Sequence, residues 1–313
     1  MRRLEANQAV LDFSANNKPA TFAKRRETIV LATADCYGGR VLPSARETWA
    51  NANDPRRDPA TGPVFVEGAE PGDALEVLIK WIRLADRGIV VLRPGIGVLG
   101  DRIAEQSVRS VEIEGGCAAL GNGLHVPLRP MVGVIGIAPE GSAVSALAPG
   151  RHGGNMDTPE IGVGARVYLP VQVPGGLLAL GDVHAAMGDG EISGTGVEIG
   201  AEVTIEVDVV KNIGYRWPRV ETNEEIVTVV SDCSLEAAIR TAAEEMVGLV
   251  MRKCGVGFEE ALMFVGTAGD VRISQIVNPY GNTVRMVVPK SALNSAPNGE
   301  ADGAELSLSQ QNR

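Results

Sequence analysis

The segment 180-LGDVHAAMGDGEISGTGVEIG-200 places Asp182, His184, Asp189, Glu191 and Glu198 among glycines, with no lysine or arginine to neutralise them. Carboxylates and an imidazole can hold a divalent cation or move protons. At i and i+2 on an extended backbone, Asp182 and His184 point to the same side, as two ligands of one ion must. A second segment, 151-RHGGNMDTPE-160, sets His152, Asn155 and Asp157 on a glycine-flexible turn whose backbone can approach an ion or substrate closely. The ordinary fate of a loop histidine is a hydrogen-bonded structural side chain. Two of the three histidines falling in glycine- and acid-rich stretches moves the balance towards a site. His125, in GLHVPL, has no neighbouring carboxylate and is read as structural.

Other chemistries are weaker. GIVVLRPGIGVLGDRIAEQ carries Gly95, Gly97 and Gly100 in the G-x-G-x-x-G order, with Glu114 where a ribose-binding acid could fall. Pro94 precedes the first glycine, only 101–108 could form a crossover helix, and no second βαβ unit follows. A glycine-rich turn is the better reading, and no nucleotide is expected. Cys117 in GGCAAL could serve a thiol amidase only with a base that sequence cannot place, and a buried structural cysteine is the commoner case. GDGEISGTG is faintly like glycine-aspartate loops that bind calcium, which would make the chain a non-catalytic calcium-binding β-module.

These residues need a scaffold. Runs at 74–82, 88–92, 166–173, 203–210, 225–230 and 283–288 are rich in valine and isoleucine and are bounded by glycine or proline. In 203–210, Val203, Ile205, Val207 and Val209 share one face and Thr204, Glu206 and Asp208 the other, the pattern of a half-buried strand. One amphipathic helix is predicted at 235–252, with Ser234 as N-cap and Gly255 as its stop, and a short one at 257–264. Strands joined by turns favour a sandwich or barrel over a doubly wound sheet.

The chain of 313 residues is 44% apolar and 22% charged, enough for a large core. A net charge of −10 argues against nucleic acid and anionic membranes and suits a neutral or cationic small substrate. The N-terminus lacks an apolar stretch long enough for a signal peptide, so a cytoplasmic location is expected. Cys36, Cys117, Cys233 and Cys254 share no C-x-x-C spacing, and reduced thiols are expected. Residues 291–313 are polar and read as a flexible C-terminal tail to a single domain, 1–290.

The strings TADCYGG (33–39), PMVGVIGIAP (130–139), HGGNMD (152–157), GDVHAAMGDGE (181–191) and GDVRISQIVNP (269–279), taken in order, resemble the acetamidase/formamidase family of amide hydrolases. The resemblance implies hydrolysis of a short aliphatic amide, formamide or acetamide, to a carboxylate and ammonia. It also implies a mainly β, jelly-roll-like sandwich with interwoven halves and a few α-helices, α+β overall. A homo-oligomer, taken as a dimer, and a divalent metal at the acidic loops, zinc or calcium, belong to the same expectation. Some relatives open cyclic amides, so a lactam hydrolase is the alternative. The formamidase branch is associated with glutamine at the position of Met187, and methionine would make that wall of the pocket apolar.

Amide hydrolysis requires an activated water, a stabilised oxyanion and a protonated leaving nitrogen. Asp182, His184 and His152 are the preferred metal ligands, with Asp35 of TADC as a fourth. Their mixed oxygen and nitrogen donors favour zinc over calcium. Glu191 is the candidate general acid/base, its pKa raised by neighbouring carboxylates. Asn155 and Asp157 complete the catalytic set by orienting the substrate NH₂. Tyr37 and Met187 are assigned to the substrate pocket.

Overall fold

The computed structural model describes residues 2–40 and 57–294. Of the described residues 44% are in strands and 14% in helices, a mainly β fold with helices set to one side. A nine-stranded sheet runs in the order Arg2–Leu4, Glu27–Thr33, Ala201–Val210, Ala74–Leu84, Arg166–Pro170, Arg219–Glu221, Glu225–Asp232, Asn282–Pro289, Asp270–Gln275. The path of a second, eleven-stranded sheet is Leu124–Pro127, Cys117–Gly121, Ser107–Glu114, Arg87–Leu92, Glu198–Ile199, Leu178–His184, Met131–Gly136, Gly153–Asn155. Ala60–Val66 joins it by pairing with Leu178–His184, and itself pairs with Ala9–Val10 and Thr21–Ala23. Leu31, Val77, Ile79 and Val203 of the first sheet share one core with Val132, Ile135, Val183 and Ile199 of the second. The two sheets therefore pack face to face.

Alternation decides the first sheet. Along Ala201–Val210 every odd residue is buried and every even one is partly exposed. Burying each of Val203, Ile205 and Val207 contributes about 1.5–3 kcal/mol, while Glu206 faces out to an ion pair with Lys80 at 2.9 Å. The second sheet is different at its centre. Leu178–His184 and Met131–Gly136 are buried at every residue. Ile135 belongs to the inter-sheet core and Val134 to a separate cluster with Phe13, Ala60, Ala146 and Ala179, so both faces are covered. Polar residues on these strands have no route to solvent and must find partners inside.

The long helix α1, Leu235–Cys254, starts where Ser234 Oγ accepts from Ala237 N at 3.2 Å and stops at Gly255, whose φ of 66° closes it. Helix α2, Phe258–Ala268, runs past the expected end at 264 because Gly266 lies inside the helix and the backbone leaves it only at Gly269. Helix α1 packs on the Glu225–Asp232 and Asn282–Pro289 strands and α2 on α1 and the Asn282–Pro289 strand, through Ala238, Ala242, Met246, Ala261 and Val265. A short helix α3, Lys290–Asn294, occupies the first residues of the expected tail, and 295–313 lie outside the described residues. The glycines at 95, 97 and 100 form a turn followed by the one-turn 3₁₀ helix Gly100–Arg102 and the strand Ser107–Glu114, and no crossover helix forms over 101–108. No helix among the described residues is long and apolar enough to cross a membrane.

Candidate active site

The site grows from the centre of the second sheet. His184 ends its strand directly opposite Glu198 in the antiparallel register, which brings imidazole and carboxylate together across the ladder. Asp182 lies two residues back but is not extended: its φ is 50°, and the kinked strand still leaves its Oδ1 at 3.3 Å from His184 Nε2. Glu198 Oε2 is 3.2 Å from the same nitrogen, and Glu198 Oε1 is held by the Gly196 N–H at 3.0 Å.

Glycine makes room for this crowd. A Cβ on Gly133 would lie 2.6 Å from Asp157 Oδ1 and 2.7 Å from Asp182 Oδ2. One on Gly196 would lie 2.8 Å from His184 Nδ1. Asp157 follows the Gly153–Asn155 strand, its N–H bound to Gly133 O at 3.2 Å; the Asn155 amide nitrogen is 3.4 Å from Asp58 Oδ2, and with the amide turned over it donates instead to the Asp157 carboxylate at 2.9 and 3.0 Å. Glu191 sits on a loop pinned to the first sheet. The Gly190 N–H reaches Ile273 O and Ser274 O at 2.9 and 3.0 Å, and Arg285 donates to Asp189 at 2.6 Å.

Asp58, Asp157, Asp182 and Glu191 have φ of 54°, 44°, 50° and 46°, half of the eight non-glycine residues with positive φ among those described. For glutamate this region is unfavourable, at a cost of order 1 kcal/mol or more. Backbone strain is thus concentrated where the carboxylates converge.

Ligand atoms of Asp182, His184 and Glu198 lie within 4.8 Å of one another, as do those of Asp157, His184 and Glu191, and those of Cys36, Asp58 and Asp182. The first trio fits a cation. Asp182 Oδ1, His184 Nε2 and Glu198 Oε2 are buried and none has a hydrogen-bond partner, although all are near enough to form one. One oxygen or nitrogen from each residue thus lies within reach of a common point. Two ligands at ~2.0–2.1 Å from a tetrahedral ion stand roughly 3.3 Å apart, matching these separations.

Burial raises the pKa of Asp182, and the Glu198 charge adds to the rise against the pull of His184. Asp157 is pushed well above the carboxylate range by burial, with Glu191 and Asp182 adding to it. Burial lifts Glu191 to about 8 and Asp58, next to Asp182, to about 7. Glu191 is half-buried as a residue, yet its carboxyl group is withdrawn from water. Burial opposes the charged forms of His184 and Glu198 as well, but their mutual attraction wins: the imidazole is raised and Glu198 is lowered.

The other residues singled out by sequence fall around this centre. Asp35 accepts from the Tyr37 and Gly39 N–H groups at 2.9 Å each and feels the Asp182 charge, but is in none of the ligand groups. His152 is not brought to the cluster. It packs edge-on against Phe13 with centroids 5.1 Å apart, and desolvation alone lowers it to about 4. Tyr37 is buried behind the pocket, with the Arg57 and Arg93 guanidiniums 5.0 and 5.8 Å from its ring centre. Met187 lines a cavity of about 470 Å³ walled mainly by apolar residues such as Val90, Leu120 and Ile192. Cys117 is on an outer hairpin strand, whereas Cys36 is at the site with its thiol pushed well up by burial.

Sequence spacing missed Asp58, Arg57 and Arg93, and named Glu198 only as one more acid of the segment. All four line a polar pocket of about 50 Å³ together with Asn155, Asp182, Glu191 and Asn278. Only Glu198 left a signal, as an acid at the start of a β-branched run.

Comparison with known proteins gives the family of the chain. Residues 140–295 match the model of the Acetamidase/Formamidase family. An acetamidase from Bacillus halodurans is 37% identical, with 94% of this chain and 99% of that chain covered and a TM-score of 0.90. A predicted acetamidase/formamidase from Thermoanaerobacter tengcongensis is 39% identical, covering 94% of this chain and 97% of that one, with a TM-score of 0.90. A formamidase from Methylophilus methylotrophus is 28% identical over 212 residues, 49% of this chain and 51% of that protein. The chain spans roughly half to three-fifths of the length of the curated relatives it matches most extensively. It belongs to the acetamidase/formamidase family.

Proposed function

We propose that this chain hydrolyses a short aliphatic amide, RCONH₂ + H₂O → RCOO⁻ + NH₄⁺. The observation that carries the reading is a pocket of about 50 Å³ in which a set of ligand atoms without hydrogen-bond partners meets a carboxyl group raised to about 8. That volume admits roughly three to five water-sized particles, which suits the three or four heavy atoms of formamide or acetamide and is tight for a ring.

Asp182, His184 and Glu198 are the residues that would hold a divalent cation, and the nitrogen among their donors favours zinc over calcium. Such an ion supplies Lewis acidity, lowering the pKa of water towards ~7 and polarising a carbonyl. Everything else is the work of the chain. Glu191, protonated through much of the neutral range, can deliver a proton to the departing nitrogen and take one from water in the same cycle. Asp157 is fixed by Asn155 and Gly133 and presents oxygen to the amide NH₂. The paired sheets exclude bulk water, which strengthens each of these interactions.

The test is ammonia release from formamide, acetamide, propionamide and a small lactam, before and after chelation. Turnover should fall with acyl length, at ~1–3 kcal/mol for each methylene the pocket cannot admit. Equal rates on formamide and butyramide, or a preference for the lactam, would overturn the small-amide reading. Activity untouched by exhaustive chelation would remove the cation from it.

A further inference from the structure

The small pocket also has a positive wall. Arg93 follows the Arg87–Leu92 strand and is 3% exposed, yet none of its three guanidinium nitrogens has a hydrogen-bond acceptor among the described residues. It lines the pocket with Asp58, Asp182, Glu191 and Glu198. The ring of Tyr37 lies with its centre 5.8 Å from the guanidinium carbon, and its hydroxyl makes no hydrogen bond to Arg93.

Arg93 is also held in place. The turn that begins with it is seated on the Glu191 loop, where the Val98 N–H donates to Ile192 O at 2.7 Å. The seat is tight enough to need glycine on both sides. A Cβ on Gly97 would lie 2.8 Å from Ile192 O, and one on Gly194 would lie 2.5 Å from Ile96 Cγ2. The two contacts fix the guanidinium and the Glu191 carboxyl to one framework.

Burying a guanidinium without acceptors is among the costliest arrangements a fold can hold, and its planar fork matches a carboxylate with two parallel hydrogen bonds. The proposed reaction starts from a neutral amide and ends with a carboxylate in the same space. Negative charge develops on the acyl oxygen when water adds to the carbonyl carbon, and once the carbon–nitrogen bond has broken it is carried by the carboxylate. We propose that Arg93 receives that acyl oxygen, binding the carboxylate product and stabilising the oxygen as its charge develops. This assignment rests on the amide-hydrolase reading of the pocket. A residue that only balanced the pocket's acids would not select carboxylates over chloride.

The experiment measures binding of formate and of acetate to the metal-loaded protein by calorimetry, against sodium chloride at matched ionic strength. Wild type, Arg93→Lys and Arg93→Met are compared, with amide kinetics run alongside. Wild type should bind the carboxylates in competition with amide. Arg93→Lys keeps the charge but loses the fork, and carboxylate affinity and kcat should fall on the order of 10²-fold, the effect of losing one transition-state hydrogen-bond donor. KM for the neutral amide should change little. Carboxylate binding that is equal in wild type and Arg93→Lys, or absent from wild type, would overturn the assignment; if Arg93→Met fails to fold, the lysine variant decides. Arg93-dependent carboxylate binding without ammonia release would leave the anion site standing and remove the hydrolase reading. Ammonia release with unchanged product inhibition in Arg93→Lys would do the reverse.

Discussion

His184 and His152 are both buried, both on the eleven-stranded sheet or its margin, and both beside glycines that leave no room for a Cβ, yet their surroundings push them in opposite directions. His184 stands between Asp182 and Glu198 and is raised. His152 faces the Phe13 ring and is lowered to about 4 by desolvation alone. Burial therefore says little about a histidine's role. What matters is whether the low dielectric around it contains opposite charge, because the same medium that penalises an isolated ion strengthens a pair.

The sharpest way to break this contrast is to delete each imidazole. His184→Ala should lose bound metal and turnover together, by on the order of 10³-fold or more, because it removes a donor of an ion worth several kcal/mol to the transition state. His152→Ala should retain metal. Elemental analysis with ammonia release decides, and equal metal loss from both variants would erase the distinction. Next in size, Glu191→Gln keeps the shape of the loop but removes its proton, so turnover should fall about 10²–10⁴-fold with metal content unchanged. Rescue by excess metal would recast Glu191 as a ligand.

The third prediction concerns acid. Folded His152 gives up its proton above about pH 4 and the unfolded residue above 6.5, so between these values the unfolded chain binds more protons. Stability from this group is complete above pH 6.5 and is lost as pH falls to about 4, a change of roughly 3 kcal/mol. Across that window the urea midpoint of wild type should fall relative to that of His152→Phe as the pH is lowered. Parallel curves would mean that His152 is solvated or paired. Smallest is Gly133→Ala, whose methyl would enter the space between Asp157 and Asp182. A displacement of the carboxylates should cost about 10²-fold in kcat with the fold intact by circular dichroism. Undiminished activity would show that the cradle is looser than the distances say.

Much of this architecture was legible along the chain. The 203–210 alternation, the Ser234 cap and the Gly255 stop are local signals, and each reappears where its chemistry places it. Asp182 and His184 were also legible as a pair, though by a kinked rather than an extended strand. His152 shows the limit. Its glycines and acids resemble those of the 180–200 loop, but the imidazole meets Phe13, a residue from near the start of the chain.

Sequence alone determined the alternation that builds the sheets, the caps of α1, the glycines that admit close approach and the stock of carboxylates and imidazoles. Those follow from steric and hydrogen-bonding rules acting over a few residues. Only tertiary structure decided which acids share a pocket. Asp58 comes from beside the Ala60–Val66 strand, Arg93 from the turn after Arg87–Leu92, and Glu198 meets His184 through a register set across the 185–197 connection. Their pKa directions follow from that meeting, because Coulomb energy depends on separation in space and on the dielectric between the charges, and the order of residues along the chain specifies neither until the sheets have packed.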